Sequence, residues 1–276
     1  MKKTNENYVP TLKDDEILRL DHLSMHFGGL KAVDDLSFEI KEGEIFGLIG
    51  PNGAGKTTVF NCITQFYNPT LGHVPFRLKD GSVTDLTNHK VHDIIGLGLV
   101  RTFQNVEMVK ELSIIDNVMV GAHPHFRTGV LQHMLRTPKA RKEEREFRKK
   151  AEEILERIGI AEFRDFPAKS APYGVQKKAE MARALMANPR LIILDEPAAG
   201  LNDKETAELA QIIYNLRDEF KCTVLLVEHD MGLVMSICDR ICAISFGQFL
   251  ACGKPAEIQN NKQVQEAYLG VNKEEE

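Results

Sequence analysis

Residues Glu44–Ile63 read EIFGLIGPNGAGKTTVFNCI, and the order of textures along them decides the fold. EIFGLIG is a short apolar run ending in glycine, consistent with a buried strand. The segment KTTVFNCITQFY that follows reads as a helix, ended by NPTLG. Between them, Gly50–Thr58 fits the pattern G-x-x-x-x-G-K-[ST] in the strand–loop–helix setting that the pattern requires. Such a loop lets the backbone curl so that successive N–H groups point at phosphate oxygens. The helix that follows adds its positive N-terminal end. Lys56 can reach β- and γ-phosphates, and the Thr57 hydroxyl can ligand Mg²⁺. The nucleotide contacts expected from this stretch are Gly50, Pro51, Asn52, Gly53, Ala54, Gly55, Lys56, Thr57 and Thr58. A glycine-rich turn that binds nothing would give the lysine and the hydroxyl no packing reason to be there.

Upstream, ILRLDHLSMHFG and DDLSFEIKEGEIFGLIG alternate apolar and polar residues, which predicts strands separated by turns. Residues 1–16 read as a loose, flexible tail. Downstream, Val74 to Thr87 is strand-like again, with KDGS a hairpin turn. From about Val106 to Ser170 the texture is helical. Phe147, Ala151, Ile154, Leu155 and Ile158 repeat at helical spacing and mark one apolar stripe. Within the charge run KARKEEREFRKK, Glu144–Arg148 and Glu146–Lys150 are i,i+4 pairs on the wet side, so the run reads as a solvated face rather than a docking element. Beyond Ala179, LIILDE, a helix from about Asp203, CTVLLVE, another helix and RICAISFGQFLACG alternate, which argues for an α/β sheet with a helical block inserted.

LIILDE supplies a second phosphate-site element, an apolar strand ending in Asp195 and Glu196. Neighbouring strand residues point to different faces, so the two acids can divide the work. Asp195 is expected to hold Mg²⁺, and Glu196 to orient the attacking water. LLVEHD repeats the arrangement and ends at His229. The other eight of the nine histidines read as structural, including the HPH pair His123 and His125, which no acid or cysteine joins at metal-ligand spacing. The five cysteines, odd in number and without a C-x-x-C pair, read as reduced thiols of a cytosolic protein. Cys238 and Cys242 are spaced to share a helix face but do not complete a zinc site.

The bulk numbers restrict the partners. The 276-residue chain is 43% hydrophobic and 27% charged, with a formal net charge of −5, which gives no electrostatic reason to bind nucleic acid. Its N-terminus is not a secretory signal, and no apolar stretch approaches the ~20 residues of a membrane span. Service to a membrane would come from the water side.

Six elements now stand in order: GPNGAGKTT, RTFQN, YGVQKKAEMARAL, LIILDEP, AAGLN and VEHD. Together they resemble the ATP-binding cassette family of transporter ATPases from about residue 16 to the end. The resemblance implies a P-loop NTPase (RecA-like) α/β core with an antiparallel β subdomain and an inserted α-helical subdomain. It implies one ATPase domain over 17–276, with core segments 17–105 and 171–276 and a helical subdomain at about 106–170. Its cofactors would be ATP and Mg²⁺. Phe27 in MHFGG matches the aromatic that stacks on adenine, normally a tyrosine. Gln104 matches the glutamine that senses Mg²⁺ and the attacking water. Asp195 and Glu196 match the magnesium aspartate and catalytic glutamate, and His229 the switch histidine. Leu201 and Asn202 match the loop that crosses the dimer interface, with Asn202 in place of the common aspartate. Gln65 stands where relatives often have glycine.

More narrowly, FGGLKAV, VRTFQN, DEPAAGLN, VEHDMGLVM, AYLG and the insertion after Gly121 look like the high-affinity branched-chain amino-acid importer branch. Relatives handling urea, amides or lipopolysaccharide share much of the pattern. A soluble cassette acting on nucleic acid or ribosomes is the alternative from another class. The importer reading implies a second ATPase subunit, two transmembrane permeases, an extracytoplasmic solute-binding protein, no nucleic acid, and a peripheral place on the cytoplasmic face of the plasma (inner) membrane. Two family subunits sandwich ATP head to tail, each offering the other's nucleotide a signature loop, usually L-S-G-G-Q. Here Ala171, Pro172, Tyr173, Gly174 and Val175 stand there, followed by Gln176. Pro172 has neither the serine hydroxyl nor an N–H to offer, so a different second cassette, with a complete signature, is the expected partner. The alternative is that Pro172 only starts a helix, with Gly174 enough for function and a homodimer open.

Overall fold

Successive residues of the short apolar strands point into two different cores, and this places one sheet at the centre of the molecule. The computed structural model describes residues 8–102 and 108–269. The chain opens with the antiparallel pair β1 (Glu16–Phe27) and β2 (Leu30–Lys41), then β3 (Ile45–Ile49) and α1 (Lys56–Ile63). Strands β4 (Leu71–His73), β5 (Pro75–Arg77) and β6 (Val83–Asp85) enlarge the antiparallel sheet, in the order β2-β1-β5-β6 with β4 also on β1. The KDGS turn joins β5 to β6, Pro75 facing Asp85 and Arg77 facing Val83, as its sequence predicts.

Helix α2 (Val91–Leu97) and strand β7 (Leu99–Arg101) come next. Sequence patterning assigns nothing to this stretch, because elements of seven and three residues are too short for a period to register. The helices α3 (Ile114–Val120), α4 (Val130–Met134), α5 (Pro138–Ile158) and α6 (Tyr173–Met186) follow. The chain then alternates β8 (Leu191–Asp195), α7 (Asp203–Asp218), β9 (Thr223–Val227), α8 (Met231–Ile237) and β10 (Arg240–Ser245). It closes with β11 (Gln248–Gly253), α9 (Pro255–Gln259) and α10 (Lys262–Leu269).

The central sheet has the order β11-β10-β3-β9-β8-β7. All its pairings are parallel except β10–β11. Ile45, Ile49, Ile192, Leu194, Val224, Leu226, Ile241 and Ala243 face the helices. The residues between them, Phe46, Leu48, Leu191, Ile193, Leu225, Val227, Cys242 and Ile244, face α1 and the antiparallel sheet. Burial on both faces explains why these strands read as unbroken apolar runs. Each fully buried large side chain contributes about 1.5–3 kcal/mol relative to exposure. The parallel strands also bring their C-terminal ends to one edge, where ligands of open α/β sheets bind.

Helix α5 realises its predicted stripe: Ala151, Ile154, Leu155 and Ile158 are buried and Phe147 packs against the same core. Thr137 caps it by accepting from Ala140 N–H, and Gly159 ends it at φ 77°, the left-handed position glycine fits. The expected surface pairs are not made. Arg148 lies 3.4 Å from Asp116, and Lys150 donates to the Met186 carbonyl at 3.2 Å, since both side chains reach across to neighbouring helices. Helix α6 packs against α3 and α5, so a boundary at residue 170 divides one helical layer.

From Tyr8 onward the expected tail is anchored. The Tyr8 hydroxyl donates to Asp21 at 3.0 Å, and its ring stacks on His73 at 3.6 Å. The five cysteines are free thiols, but Cys238 and Cys242 share no helix face. Cys238 ends α8, while Cys242 lies in β10 opposite Cys252 of β11. Among the described residues no histidine, cysteine and acid cluster could hold a metal, and His125 Nε2 lies 2.8 Å from the Ala187 carbonyl.

Candidate functional site

The loop after β3 lines a cleft of about 470 Å³. Its shape follows from two glycines. At Gly50 a Cβ would fall 2.3 Å from the Ile244 carbonyl, and Gly55 holds φ 101° beside the Ala32 carbonyl. No other residue type passes there without moving backbone. Asn52, Gly53, Ala54, Gly55, Lys56, Thr57 and Thr58 line the cleft with Phe27, Glu196 and His229. Gly50 and Pro51 contribute from behind, their carbonyls accepting from Lys56 Nζ at 2.6 and 3.0 Å. Burial lowers the Lys56 pKa, against the opposing pull of Glu196 and Asp195. The ammonium is thus held desolvated, bonded to carbonyls of its own loop, and ready for a stronger anionic partner.

The two acids at the end of β8 separate as their alternation requires. Asp195 is buried, and its Oδ2 accepts from Arg101 Nη2 at 2.6 Å. Arg101 Nη1 donates to Asn61 Oδ1 of α1, also at 2.6 Å. Glu196 turns the other way, with a left-handed backbone at φ 49°. A non-glycine residue in that region is strained. What holds it is a bond from its own N–H to the Val227 carbonyl at 2.9 Å, and His229 Nε2 donating to Glu196 Oε1 at 2.9 Å. The catalytic pair expected from the sequence is therefore in direct contact.

Two further residues escape sequence reading. Arg101 lies in the quoted RTFQN motif, but its partner is on another strand. Glu228 lies in VEHD, is buried, and accepts from Ala198 N–H at 2.6 Å and His229 N–H at 3.1 Å. Burial raises its pKa, and those backbone donors pull the other way. Glu228 thereby ties the loop after Glu196 to the histidine.

Phe27 stands half-exposed at the end of β1, its ring edge-on to Tyr67 at 5.2 Å. Gln104 lies outside the described residues. Gln65 adopts φ 60° just past α1, which is why glycine suits that position.

The signature-like loop is elsewhere, at the start of α6. Pro172 is the N-cap and provides no side-chain cap, so no side chain at the cap meets the first turn's N–H groups. Tyr173 packs on the loop after β8: its hydroxyl lies 3.5 Å from the Ala199 carbonyl, and a Cβ at Gly200 would meet its ring at 3.3 Å. Gly174 lies against Glu205, and Gln176 Nε2 donates to the Ala171 carbonyl at 2.9 Å. Leu201 packs against the core beside this loop. Asn202 caps α7, exchanging 3.0 Å bonds with Glu205, a local use for the residue that replaces aspartate.

Comparisons with known proteins agree with this geometry. The family model described as ABC transporter matches residues 33–199, and that of branched-chain amino acid ATP-binding cassette transporters matches residues 250–274. The high-affinity branched-chain amino acid transport ATP-binding protein BraF of Pseudomonas aeruginosa is 47% identical over 92% of this chain and 98% of its own. LivG of Escherichia coli, of the same description, is 45% identical over the same shares. A crystal structure of the ADP conformation of an ABC transporter cassette matches with a TM-score of 0.79 at 31% identity, covering 92% of this chain and 99% of that one. A nucleotide-free cassette matches at 0.78 and 31%, over 92% and 98%. A match through the middle of the chain, and near-half identity along almost all of it, leave one assignment: this chain belongs to the ABC transporter family, as one of its ATP-hydrolysing cassettes.

Proposed function

We propose that this cassette powers import of branched-chain amino acids from the cytoplasmic face of the inner membrane. In this reading it is one ATPase domain from residue 17 onward, docked on two permeases that receive solute from an extracytoplasmic binding protein. The observation that carries the reading is the 45–47% identity, over 92% of the chain, to ATP-binding proteins of high-affinity branched-chain amino acid transport. The match of residues 250–274 to the branch-specific model supports it from the other end of the chain. No helix among the described residues is long and apolar enough to cross a membrane, so the permeases must supply the path.

Phe27 stacks on adenine, and Gly50–Thr58 wraps the phosphates. The Thr57 hydroxyl and the Asp195 carboxylate are hard oxygen donors of the kind Mg²⁺ takes, with Gln104 as a third. Bound Mg²⁺ would neutralise charge on the transferring phosphoryl group. Arg101 keeps the Asp195 carboxylate in place. Glu196 orients the attacking water, and His229, already bonded to it, fixes its carboxylate and faces the γ-phosphate. Phosphoryl transfer needs positioning and electrostatics more than covalent help.

The cradle is complete, whereas the signature-like loop lacks its serine. A second, different cassette would offer a complete signature to this chain's ATP, while Pro172, Tyr173, Gly174 and Gln176 face the partner's nucleotide. Leu201 and Asn202 then lie at the shared interface. The reading is tested by reconstituting the cassette with its permeases and second cassette in proteoliposomes. Leucine-loaded binding protein should stimulate phosphate release and leucine uptake. Stimulation by urea or amides, or outward movement of lipopolysaccharide, would reassign the substrate. Light scattering on Glu196→Gln with ATP tests the pairing: it should dimerise only when the second cassette is added.

A further inference from the structure

The hairpin joining β10 to β11 breaks a local rule beside the cleft. Ser245 pairs with Gln248, leaving Phe246 and Gly247 as a two-residue turn with φ values of 48° and 76°. Two positive φ values mark the turn that asparagine–glycine favours. A bulky aromatic in the first position is strained. Phe246 is also 88% exposed, more than any other large apolar side chain among the described residues. Neither its conformation nor its solvation serves the isolated chain. Conflicts of this kind concentrate at functional sites.

The tip is fixed by the cradle itself. Gly247 N–H donates to the Ala54 carbonyl at 2.9 Å, and the Gly247 carbonyl accepts from Asp34 N–H at 2.9 Å. A Cβ at Gly247 would fall 2.6 Å from the Ala32 carbonyl, so the turn sits hard against β2 and the phosphate loop. From that place Phe246 lines the nucleotide cleft together with Lys31, Ala32 and Phe27. The phosphate end of the same cleft is already furnished by Lys56, Thr57, Glu196 and His229. An aromatic face offers no hydrogen-bond donor to phosphate. It offers apolar and π surface to a sugar or a base.

We propose that Phe246 is a second aromatic wall of the cleft and contacts the nucleoside half of bound ATP. The proposal rests on the reading of the cleft as the ATP site and adds a contact to it. The strained turn is the counterpart of surface that Phe246 buries against nucleotide.

The test is the purified full chain with Phe246→Asn and Phe246→Tyr, titrated with ATP and with inorganic tripolyphosphate at concentrations where the chain is monomeric. Asparagine suits the turn, so Phe246→Asn should raise Tm by roughly 2 °C without ligand. It should weaken ATP roughly three- to tenfold and leave tripolyphosphate unchanged. Phe246→Tyr keeps the ring and should restore ATP affinity. Unchanged ATP affinity in the asparagine variant overturns the proposal; if ATP-driven association then falls, the ring meets the second cassette instead. Equal weakening of ATP and tripolyphosphate also overturns it, placing the effect in the cradle. Wild-type binding that Lys56→Ala abolishes keeps the ATP-site reading standing whichever way Phe246 falls.

Discussion

The phosphate cradle and the signature-like loop are both loops that feed a helix, yet they are built in opposite ways. In the cradle, Lys56 is buried and bonded to the carbonyls of Gly50 and Pro51. The carboxylate of Asp195 is gripped by Arg101, and Glu196 is held by His229. Each of these charged groups has a defined partner within the chain. At the start of α6, Pro172 brings neither hydroxyl nor N–H, and Tyr173 lies across the loop after β8. The first site is organised from within, whereas the second is a surface shaped by its own chain's neighbouring loop. Preorganisation therefore belongs to the cradle, and the start of α6 is left with backbone donors and a helix terminus.

The strongest way to break this contrast is to remove what organises the cradle. Arg101→Ala leaves Asp195 buried without its cation, and losing one partner of a buried pair costs about 3–5 kcal/mol. Denaturant unfolding should show it, and a loss below about 1 kcal/mol would mean that Asp195 is solvated without Arg101. Pro172→Ser probes the opposite end. One donor aimed at developing charge is worth ~2.7–4 kcal/mol, so in the heterodimer this change should raise turnover at the partner's site, up to roughly a hundredfold. Turnover at this chain's own site should stay level. If partner-site mutations abolish all turnover while Pro172→Ser changes nothing, the two ends differ in shape but not in work.

The smallest effect sharpens the electrostatics of the cradle. Burial raises the Glu228 pKa, so the folded state holds this proton more tightly than the unfolded chain does. Its stabilising contribution is full below the ordinary carboxyl pKa and is lost as pH rises through the raised one. Against Glu228→Gln, the wild type should therefore lose stability between the ordinary carboxyl range and neutral pH, visible as a Tm difference that grows with pH. A difference independent of pH would show that the N–H groups of Ala198 and His229 keep the carboxylate charged throughout.

Sequence texture carried most of the architecture because its signals are local. A glycine loop between strand and helix, alternation in β1 and β2, and the stripe along α5 each lie within one short window. The approach of Glu196 to His229 has a local signal for the same reason, since each lies within two residues of the end of an apolar strand. Arg101 was not, because its meaning depends on Asp195, 94 residues away. Glu228 sits beside His229 in plain view, but its partner Ala198 is 30 residues earlier. The place of α6 among the helices was hidden for a related reason: its contacts with α3 and α5 are set by packing, not by chain order. Phe246 is the converse case: it lies inside RICAISFGQFLACG, which the sequence reads as one stretch, and only the pairing and the backbone angles expose the turn and its misfit.

Glu228 holds the amide of Ala198 with one oxygen and that of His229 with the other. One of those amides belongs to the loop leading toward the proposed interface with the second cassette, the other to the residue bonded to Glu196. A single carboxylate joining the two ties their positions to one another. A neighbour that displaced the loop at Ala198 would therefore pull on the residue bonded to Glu196 through one side chain, with no longer relay between them.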